Sequence, residues 1–326
     1  MPLFYNMKFV TDIIGPELKI FEGKFSDAVK SNTALLDSIM KYIIKRKGKQ
    51  LRPMFVFLSA KLHGEINEST YRAAALVELL HTATLVHDDV VDESYERRGF
   101  FSINAVWKNK IAVLVGDYLL SKGLLLSASN GDFKHLELLS DAVRQMSEGE
   151  LLQIEKSRKL NLDEGIYFEI IRNKTASLLS SACAVGAYST TTDEHITKKM
   201  RDFGEKVGIA FQIKDDLFDY GTENIGKPTG NDIKEKKLTL PLIYTLNNTD
   251  SKTRKSLIYS LKNNNKDSRK VREIIDVVSK SGGIEYTQNK MLQYRDEALH
   301  ILNSFEQTPV RNALEELVRF TTDRKY

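Results

Sequence analysis

Residues 88–92 read Asp-Asp-Val-Val-Asp, and residues 215–219 repeat the pattern as Asp-Asp-Leu-Phe-Asp. Both stretches lie in apolar, helix-forming sequence. On a helix, residues four apart share one face, so the first and last carboxylates of each motif lie roughly 6 Å apart. Carboxylates that close repel each other. Mg²⁺ relieves this repulsion and brings substrate phosphates with it. Two such motifs facing each other would form a metal-lined entrance for a diphosphate.

Helical periodicity extends over most of the chain. Apolar residues recur at helical spacing in segments such as 71–87, 133–154 and 195–220, and only 6 of the 326 residues are proline. Strict alternation of β-branched and polar residues is scarce, so the pattern predicts an all-α protein. Clusters of Gly, Pro and Asn near 221–230 and 247–250 mark loops. None resembles an interdomain linker, which predicts a single domain over residues 1–326.

Composition and charge narrow the class of protein. Charged residues make up 28% of the chain and the formal net charge is only +4, which does not indicate nucleic-acid binding. Cys183 is the single cysteine and lies among small residues, which predicts a buried thiol in a reducing, cytoplasmic compartment. The N-terminus lacks the pattern of a signal peptide. The most apolar run, 111–120, is short and contains Asp117, so we expect no transmembrane segment.

The first acidic motif has basic and polar neighbours that suit an anion. His81, Asp88 and Asp92 are spaced by seven and four residues and therefore share a helical face. Arg97 and Arg98 follow at once, and arginine binds phosphate oxygens in a bidentate manner. Alone, such a pair is more often an ordinary basic surface. Upstream, Lys49 and Arg52 precede a long apolar helix, where the helix dipole also favours anions.

The second acidic motif is placed in a similar way. Gln212, Asp215 and Asp219 form a stripe with three- and four-residue spacing, and Lys227 and Lys237 follow in the loop. Charged loop residues are usually only solvated. Here the lysines come just after an acidic cluster, which suits the far side of a metal-bound diphosphate. Lys174 and Thr175 open a helix of small residues, 176–187, where an unpaired lysine would be unusual.

Taken together, these motifs resemble those of the trans-isoprenyl (polyprenyl) diphosphate synthases, and most closely the octaprenyl type. The resemblance extends over nearly the whole chain. It rests on Gly-Lys-x-Leu-Arg-Pro (48–53), the first Asp motif with Arg-Arg-Gly (97–99), Lys-Thr (174–175), Phe-Gln-x-x-Asp-Asp-x-x-Asp (211–219) and Gly-Lys (226–227). Each motif is weak alone, but the ordered set is highly specific. One departure is Glu235-Lys236-Lys237, where many relatives have Glu-Gly-Lys; Lys237 has the matching spacing.

The resemblance implies a large α-helical bundle around a deep central cavity, and a homodimer. It implies two or three Mg²⁺ ions bound by the two motifs, Asp88, Asp89, Asp92, Asp215, Asp216 and Asp219. Isopentenyl diphosphate would be held by Lys49, Arg52, His81 and Arg98. The allylic diphosphate, expected to be farnesyl diphosphate, and the reacting carbons would be held by Arg97, Lys174, Thr175, Gln212, Lys227 and Lys237. The catalytic subset would be Asp88, Asp92, Lys174, Thr175, Gln212 and Asp215.

Product length should depend on the residues just before the first Asp motif. Ala83 and Thr84 stand five and four residues before Asp88, where short-chain relatives commonly have an aromatic residue that closes the tunnel. Small residues leave room for a longer chain, which predicts a product of about C35 to C50. Such an apolar product implies transient membrane association when it is released.

Four other interpretations account for part of the sequence. A shorter-chain farnesyl or geranylgeranyl diphosphate synthase shares every motif except the open tunnel. A terpene cyclase of the same fold commonly carries an Asn/Ser/Glu type second motif, unlike residues 215–219. A di-iron carboxylate bundle would use Glu78-x-x-His81 and Glu297-x-x-His300, but two further glutamates cannot be placed. A non-catalytic subunit of a heteromer would be expected to lose the Asp motifs.

Overall fold

Apolar residues at helical spacing form α-helices throughout the part of the chain that the structure, a computed structural model, describes: residues 7–45, 48–97, 99–159, 163–221 and 229–323. In chain order the helices are α1 (Lys8–Ala28), α2 (Ala34–Ile44), α3 (Leu51–His63), α4 (Glu68–Val91), α5 (Ile103–Ala128), α6 (Phe133–Lys159), α7 (Glu164–Ile171), α8 (Ser177–Tyr188), α9 (Glu194–Phe218), α10 (Asn231–Lys234), α11 (Leu240–Asn247), α12 (Ser251–Asn263), α13 (Ser268–Lys280), α14 (Gly283–Leu302) and α15 (Pro309–Asp323). The only strands in these residues are β1 (Glu96–Arg97) and β2 (Phe100–Phe101), which pair antiparallel. The all-α prediction is confirmed.

Side-chain caps fix where several helices begin. The Asn67 side chain accepts hydrogen bonds from the backbone amides of Ser69 and Thr70. The Thr70 hydroxyl accepts from the backbone amide of Asn67, which completes a capping box before α4. Asp163 caps α7, and Asp267 caps α13 in the same manner. Each cap satisfies backbone amides that the first turn of a helix leaves without a partner, and is worth about 1 kcal/mol.

The chain divides into two compact units. Unit 1 comprises Met1–Val143, Ser181–Arg201 and Glu306–Leu314, and unit 2 comprises Arg144–Ser180, Asp202–Phe305 and Glu315–Tyr326. Four helices, α6, α8, α9 and α15, contribute residues to both units. The assignment of residues 1–326 to a single domain stays a prediction, as does the deep central cavity.

Glycines allow the helices of unit 1 to approach closely. A Cβ atom on Gly116 of α5 would lie 2.0 Å from Nε2 of His87 on α4, and one on Gly123 would lie 2.8 Å from Cδ1 of Leu76. Gly186 of α8 likewise meets the carbonyl oxygen of Val56 on α3. Cys183, also on α8, is fully buried, and burial raises the pKa of its thiol to about 12.

Helix α5 is longer than the apolar run 111–120 suggested. It has 26 residues, and its most apolar 18-residue window has a mean hydropathy of 1.6 and is 33% buried. Among the described residues it is the one helix long and apolar enough to cross a membrane, judged by length and composition alone. The prediction that this apolar segment is too short to cross a membrane was therefore wrong, and the absence of a transmembrane segment stays a prediction.

The core of unit 2 is formed by the apolar faces of α7, α9 and the helices from α11 to α14. It includes fully buried side chains such as Ile209, Ile213, Leu242 and Leu261. Tyr167 and Tyr220 also belong to this core, with their hydroxyl groups hydrogen-bonded to buried polar partners. A buried phenol needs such a partner because an unsatisfied hydroxyl is costly away from water.

Candidate active site

Both acidic motifs lie at the C-terminal ends of long helices. Asp88 and Asp89 belong to the last turn of α4 and Asp92 follows it, whereas Asp215 and Asp216 belong to the last turn of α9 and Asp219 follows. A helix C-terminus carries partial negative charge, so carboxylates there raise the local electrostatic free energy. A bound cation would lower it. The two motifs are therefore placed where cation binding is favoured.

A cavity of about 320 Å³ lies inside unit 2 beside the second motif. Seven of the residues predicted from the sequence line this cavity: Lys174, Thr175, Gln212, Asp215, Asp216, Asp219 and Lys237. The remaining lining residues are Gln153, Ser157, Tyr167, Ile170, Ile171, Phe218, Asn231, Asp232, Leu238 and Thr239. The cavity thus combines carboxylates, lysines and neutral oxygen atoms beside an apolar wall.

Lys174 and Thr175 lie in a π-helical turn, Arg172–Ala176, between α7 and α8. The backbone amide of Ser177 donates to the carbonyl oxygen of Arg172, five residues earlier. The expectation that these residues open a regular helix was wrong in this detail. Single π-helical turns are frequent at functional sites because they change the direction of nearby side chains.

Two glycines pack directly against this π-helical turn. A Cβ atom on Gly149 of α6 would lie 2.8 Å from the backbone nitrogen of Lys174, and one on Gly208 of α9 would lie 2.6 Å from Cα of Ala176. Real Cβ atoms essentially never approach other atoms this closely. The absence of side chains at both positions therefore allows the turn to sit between α6 and α9.

Asp216 is the buried centre of a hydrogen-bond network. Its Oδ2 accepts from the Tyr167 hydroxyl at 2.7 Å, and its Oδ1 accepts from Nε2 of Gln212 at 2.8 Å. The Thr175 hydroxyl in turn donates to Oε1 of Gln212 at 2.8 Å. Burial and the nearby charge of Asp232 raise the pKa of Asp216 to about 8, against the opposing effect of its two hydrogen-bond donors.

Asp219 ties the second motif to the loop that follows it. Its Oδ1 and Oδ2 accept from the backbone amides of Asn231 at 2.8 Å and Asp232 at 3.0 Å, at the start of the short helix α10. Burial raises the pKa of Asp219, and these backbone donors oppose the rise. The third residue of the motif is therefore also a structural contact.

Asp232 belongs to the site but was not among the predicted site residues. It lines the cavity, and burial together with Asp219 raises its pKa to about 6, with Lys237 opposing. Its only signal in the sequence is its place between Asp219 and Lys237. A single aspartate in a loop rich in Gly and Asn is too common to identify a ligand.

The lysines of the cavity pair with nearby carboxylates. Lys174 forms an ion pair with Glu150 of α6, and its Nζ lies 3.3 Å from Oε1 of Gln153. Lys237 pairs with Glu235 at 2.6 Å. Lys236 instead donates to the carbonyl oxygen of Lys262, so Lys237 is the lysine of this loop that lines the cavity.

Three of the residues predicted to hold the second substrate, Lys49, Arg52 and His81, lie in unit 1. Nη1 of Arg52 lies 2.9 Å from Nε2 of His81. Because a guanidinium can only donate, His81 must accept at Nε2 and carry its proton on Nδ1. Lys49 and Arg52 lie at the N-terminus of α3, as predicted. A second cavity, of about 120 Å³, is lined by Gly48, His81, Asp89 and apolar side chains of α1, α2, α4 and α5.

The other predicted residues differ in their surroundings. Asp88 is half-buried and Asp92 is exposed, whereas Asp89 is only 3% exposed. Ala83 is fully buried, and the half-buried Thr84 donates its hydroxyl to the carbonyl oxygen of His81. Arg97 belongs to β1, and Arg98 and Lys227 lie outside the described residues.

The donor atoms around the larger cavity fit a hard cation. Asp215, Asp219 and Asp232 supply carboxylate oxygens, which Mg²⁺ prefers. Among the described residues, no three or more His, Cys, Asp or Glu side chains converge on one metal position. Mg²⁺ does not need such a cluster, because it commonly binds one or two carboxylates together with waters and substrate phosphates.

Comparison with known proteins identifies the family of the chain. The sequence profile "Polyprenyl synthetase" matches residues 33–278. The chain is 34% identical to an all-trans-nonaprenyl-diphosphate synthase (geranyl-diphosphate specific) from Rhodobacter capsulatus, over 97% of this chain and 98% of that protein. It is 31% identical to octaprenyl diphosphate synthase from Escherichia coli K12, over 98% and 99% of the two chains.

A solved structure has the same fold. The polyprenyl synthase from Caulobacter crescentus CB15, crystallised with calcium and isoprenyl diphosphate, superimposes with a TM-score of 0.91 at 34% identity over 98% of both chains. The predicted isoprenoid synthase fold is thereby confirmed. The profile match covers most of the chain, and both relatives match it over nearly their full length. The chain belongs to the polyprenyl synthetase family and is a prenyltransferase.

Proposed function

We propose that the protein is a long-chain trans-polyprenyl diphosphate synthase. It adds isopentenyl diphosphate units in sequence to an allylic diphosphate, for which farnesyl diphosphate is the expected primer. The observation that carries the proposal is the cavity of unit 2, where Lys174 and Lys237 lie with carboxylates and with the oxygens of Thr175 and Gln212. This combination suits a diphosphate leaving group attached to a carbon that becomes cationic.

Two or three Mg²⁺ ions would be held by the aspartates of the two motifs, which are Asp88, Asp89, Asp92, Asp215, Asp216 and Asp219. Bound metal would supply positive charge to the diphosphate and to the pyrophosphate as it leaves. The calcium and isoprenyl diphosphate in the Caulobacter relative support this assignment.

The side chains of the cavity would act on the allylic substrate. Lys174 and Lys237, with Arg97 and Lys227, bind its diphosphate. The oxygens of Thr175 and Gln212 and the carbonyl of Lys174 face the developing cation with their negative ends. The apolar wall, which includes Ile170, Ile171 and Phe218, excludes water from that carbon.

Isopentenyl diphosphate would bind through Lys49, Arg52, His81 and Arg98. Its double bond attacks the allylic carbon as the bond from that carbon to the diphosphate oxygen breaks. The departing pyrophosphate then accepts the proton that the newly added isopentenyl unit loses. The product is a diphosphate that is longer by one isoprene unit. Because the product is again allylic, it serves as the substrate of the next cycle.

Small residues before the first motif support a product of about C35 to C50. Ala83 is fully buried, so Phe at that position would also overpack unit 1, whereas Thr84 is half-buried. We therefore expect Thr84→Phe to shorten the product by at least one isoprene unit with little loss of folding, and Ala83→Phe to shorten it with a lower melting temperature. Thr84→Val is the control. Unchanged product length in both Phe variants would refute the assignment.

We further propose a cytoplasmic homodimer. The exposed face of α5 includes Val113, Leu114, Leu124 and Leu125, a row of apolar residues of the kind that a second copy covers. Contact of the same face with a membrane during product release is the alternative use of this surface. No nucleic-acid partner is expected.

A product assay tests the function. Purified protein, Mg²⁺ and labelled isopentenyl diphosphate are incubated with farnesyl or geranyl diphosphate, since one relative is named as specific for the latter. A ladder that ends near C40 supports a long-chain synthase. A C15 or C20 product indicates a shorter-chain enzyme, and a cyclic hydrocarbon indicates a cyclase. No elongation, together with tightly bound iron or with activity restored by a second protein, would refute the proposal.

A further inference from the structure

Resting on the proposed function, we propose that Tyr167 is a positioning residue for the allylic site. Through Asp216 it fixes the orientation of Gln212, and through Gln212 it fixes the direction of the Thr175 hydroxyl. Tyr167 lies 49 positions before Asp216 and belongs to α7, whereas Asp216 and Gln212 belong to α9. Nothing in the sequence motifs points to it.

The direction of each hydrogen bond follows from the groups involved. Both hydrogen bonds are donated to Asp216, whose two oxygens accept from the Tyr167 hydroxyl on one side and from Nε2 of Gln212 on the other. The amide of Gln212 must then present Oε1 to Thr175, which donates to it. The Thr175 proton is thereby engaged, and the oxygen lone pairs are the part of the hydroxyl left to face the cavity.

Burial makes this arrangement specific. Tyr167 is 4% exposed and Asp216 is 5% exposed, so water is not available to replace a missing donor. An unsatisfied carboxylate oxygen in such surroundings is costly. Without the Tyr167 hydroxyl, one oxygen of Asp216 would lose its donor. The Gln212 amide would then shift from its present orientation to supply that oxygen. Thr175 could then turn its proton toward the cavity, with the wrong end of its dipole facing the developing cation.

The aromatic ring of Tyr167 already packs within the apolar core of unit 2, next to Phe168. Tyr167→Phe therefore keeps the packing and removes only the hydroxyl. The control is Tyr286→Phe, which removes a half-buried phenol that donates to the carboxylate of Glu164 at 2.8 Å. Glu164 belongs to the same helix, α7, but neither Tyr286 nor Glu164 lines the cavity.

The experiment measures steady-state kinetics of the first condensation, with melting temperatures for each variant. We expect Tyr167→Phe to lower kcat about tenfold or more, with both KM values within about twofold of wild type. Tyr286→Phe should leave kcat within about twofold, with a smaller fall in melting temperature because Tyr286 and Glu164 are only half-buried. The proposal would be overturned if the two variants had equal kcat, or if Tyr167→Phe raised KM and left kcat unchanged.

A second measurement tests the route through Gln212. If Tyr167 acts through that amide, adding Tyr167→Phe to Gln212→Ala should lower kcat less than about twofold further, whereas independent effects would multiply. If Tyr167→Phe does not fold, Asp216→Asn serves instead. Its amide would turn the Gln212 amide around, so we expect the same loss of kcat with an unchanged Mg²⁺ requirement. Normal kcat, or a loss that additional Mg²⁺ reverses, would overturn the proposal. If the wild-type protein shows no prenyl transfer activity, that result refutes the proposed function and not the role of Tyr167.

Discussion

The three aspartates of the second motif make different contacts although they lie within five residues. Asp216 accepts from Tyr167 and Gln212, and Asp219 accepts from the first amides of α10. The spacing of the motif predicted that all three would lie at one site, and they do line one cavity. It could not predict their partners, because Tyr167 and Asn231 are distant in sequence and no local pattern marks them.

Glu150 is a competing anion for the lysine that would bind the allylic diphosphate. It pairs with Lys174 in this structure. Glu150→Gln removes a negative charge beside the binding position of a diphosphate, so we expect the KM for the allylic substrate to fall roughly threefold or more at unchanged kcat. Enzyme kinetics at fixed isopentenyl diphosphate would measure this.

The control for that change is Glu148→Gln, because Glu148 is exposed on the same helix and pairs with Arg144. It should leave both constants unchanged. A higher KM in the Glu150→Gln variant would mean that the carboxylate orients Lys174 instead of competing for it.

His63 should contribute to the pH dependence of stability. Burial lowers the pKa of His63 from its ordinary value of 6.5 to about 4, against the opposing effect of the charge of Asp193. The unfolded chain therefore binds a proton at His63 before the folded chain does. The contribution of this residue to the free energy of unfolding is fully present above pH 6.5 and is lost as the pH falls toward 4.

Denaturant unfolding between pH 7 and pH 4 would measure this contribution. In His63→Gln the loss of stability over this range should be smaller than in wild type. The same substitution at His195, which is exposed at the start of α9, should preserve the wild-type profile. Parallel profiles for wild type and His63→Gln would contradict the prediction.

At the scale of single elements, helix positions follow from the sequence better than their irregularities. The periodicity of residues 195–220 predicted a helix that ends at the second motif, and α9 ends at Phe218. The π-helical turn at Arg172–Ala176 had no such signal, because Lys, Thr and Ala are all compatible with a regular helix. It depends on the close approach of α6 and α9, which is a tertiary property.

Gly208→Ala tests how far activity depends on that approach. Its Cβ would meet the backbone of Ala176 at 2.6 Å, so the π-helical turn would have to move. We expect a destabilisation of about 1–3 kcal/mol and a loss of kcat larger than the fraction of unfolded protein explains. Gly23→Ala, on α1 with no atom near the added Cβ, is the control. Normal kcat in Gly208→Ala would show that the turn tolerates displacement.

At the scale of the whole molecule, few prolines and persistent helical spacing were sufficient to predict the all-α fold. The ordered motifs were sufficient to predict the family. The length of α5 was not predicted, because Asp117 interrupts its apolar run and the helix continues on both sides. Its exposed apolar face is also a property of the folded chain rather than of local sequence.

The proposed dimer can be tested on this face. Leu114 and Leu125 are 56% and 62% exposed, and a charge there would be buried without a partner if a second copy covers α5. We expect Leu114→Arg and Leu125→Arg to shift sedimentation velocity from dimer toward monomer. Tyr259→Arg, at a comparably exposed site in unit 2, should not. Dimers of normal stability in both α5 variants would place the interface elsewhere.

The burial of Cys183 has a practical consequence for spectroscopy. Thiol reagents attack the thiolate, and at neutral pH a fully buried thiol with a pKa of about 12 offers almost none. An introduced cysteine can therefore be labelled selectively without first removing Cys183. A cysteine introduced at an exposed position such as Tyr95 or Tyr259 would then be the site that a fluorescent or spin label modifies.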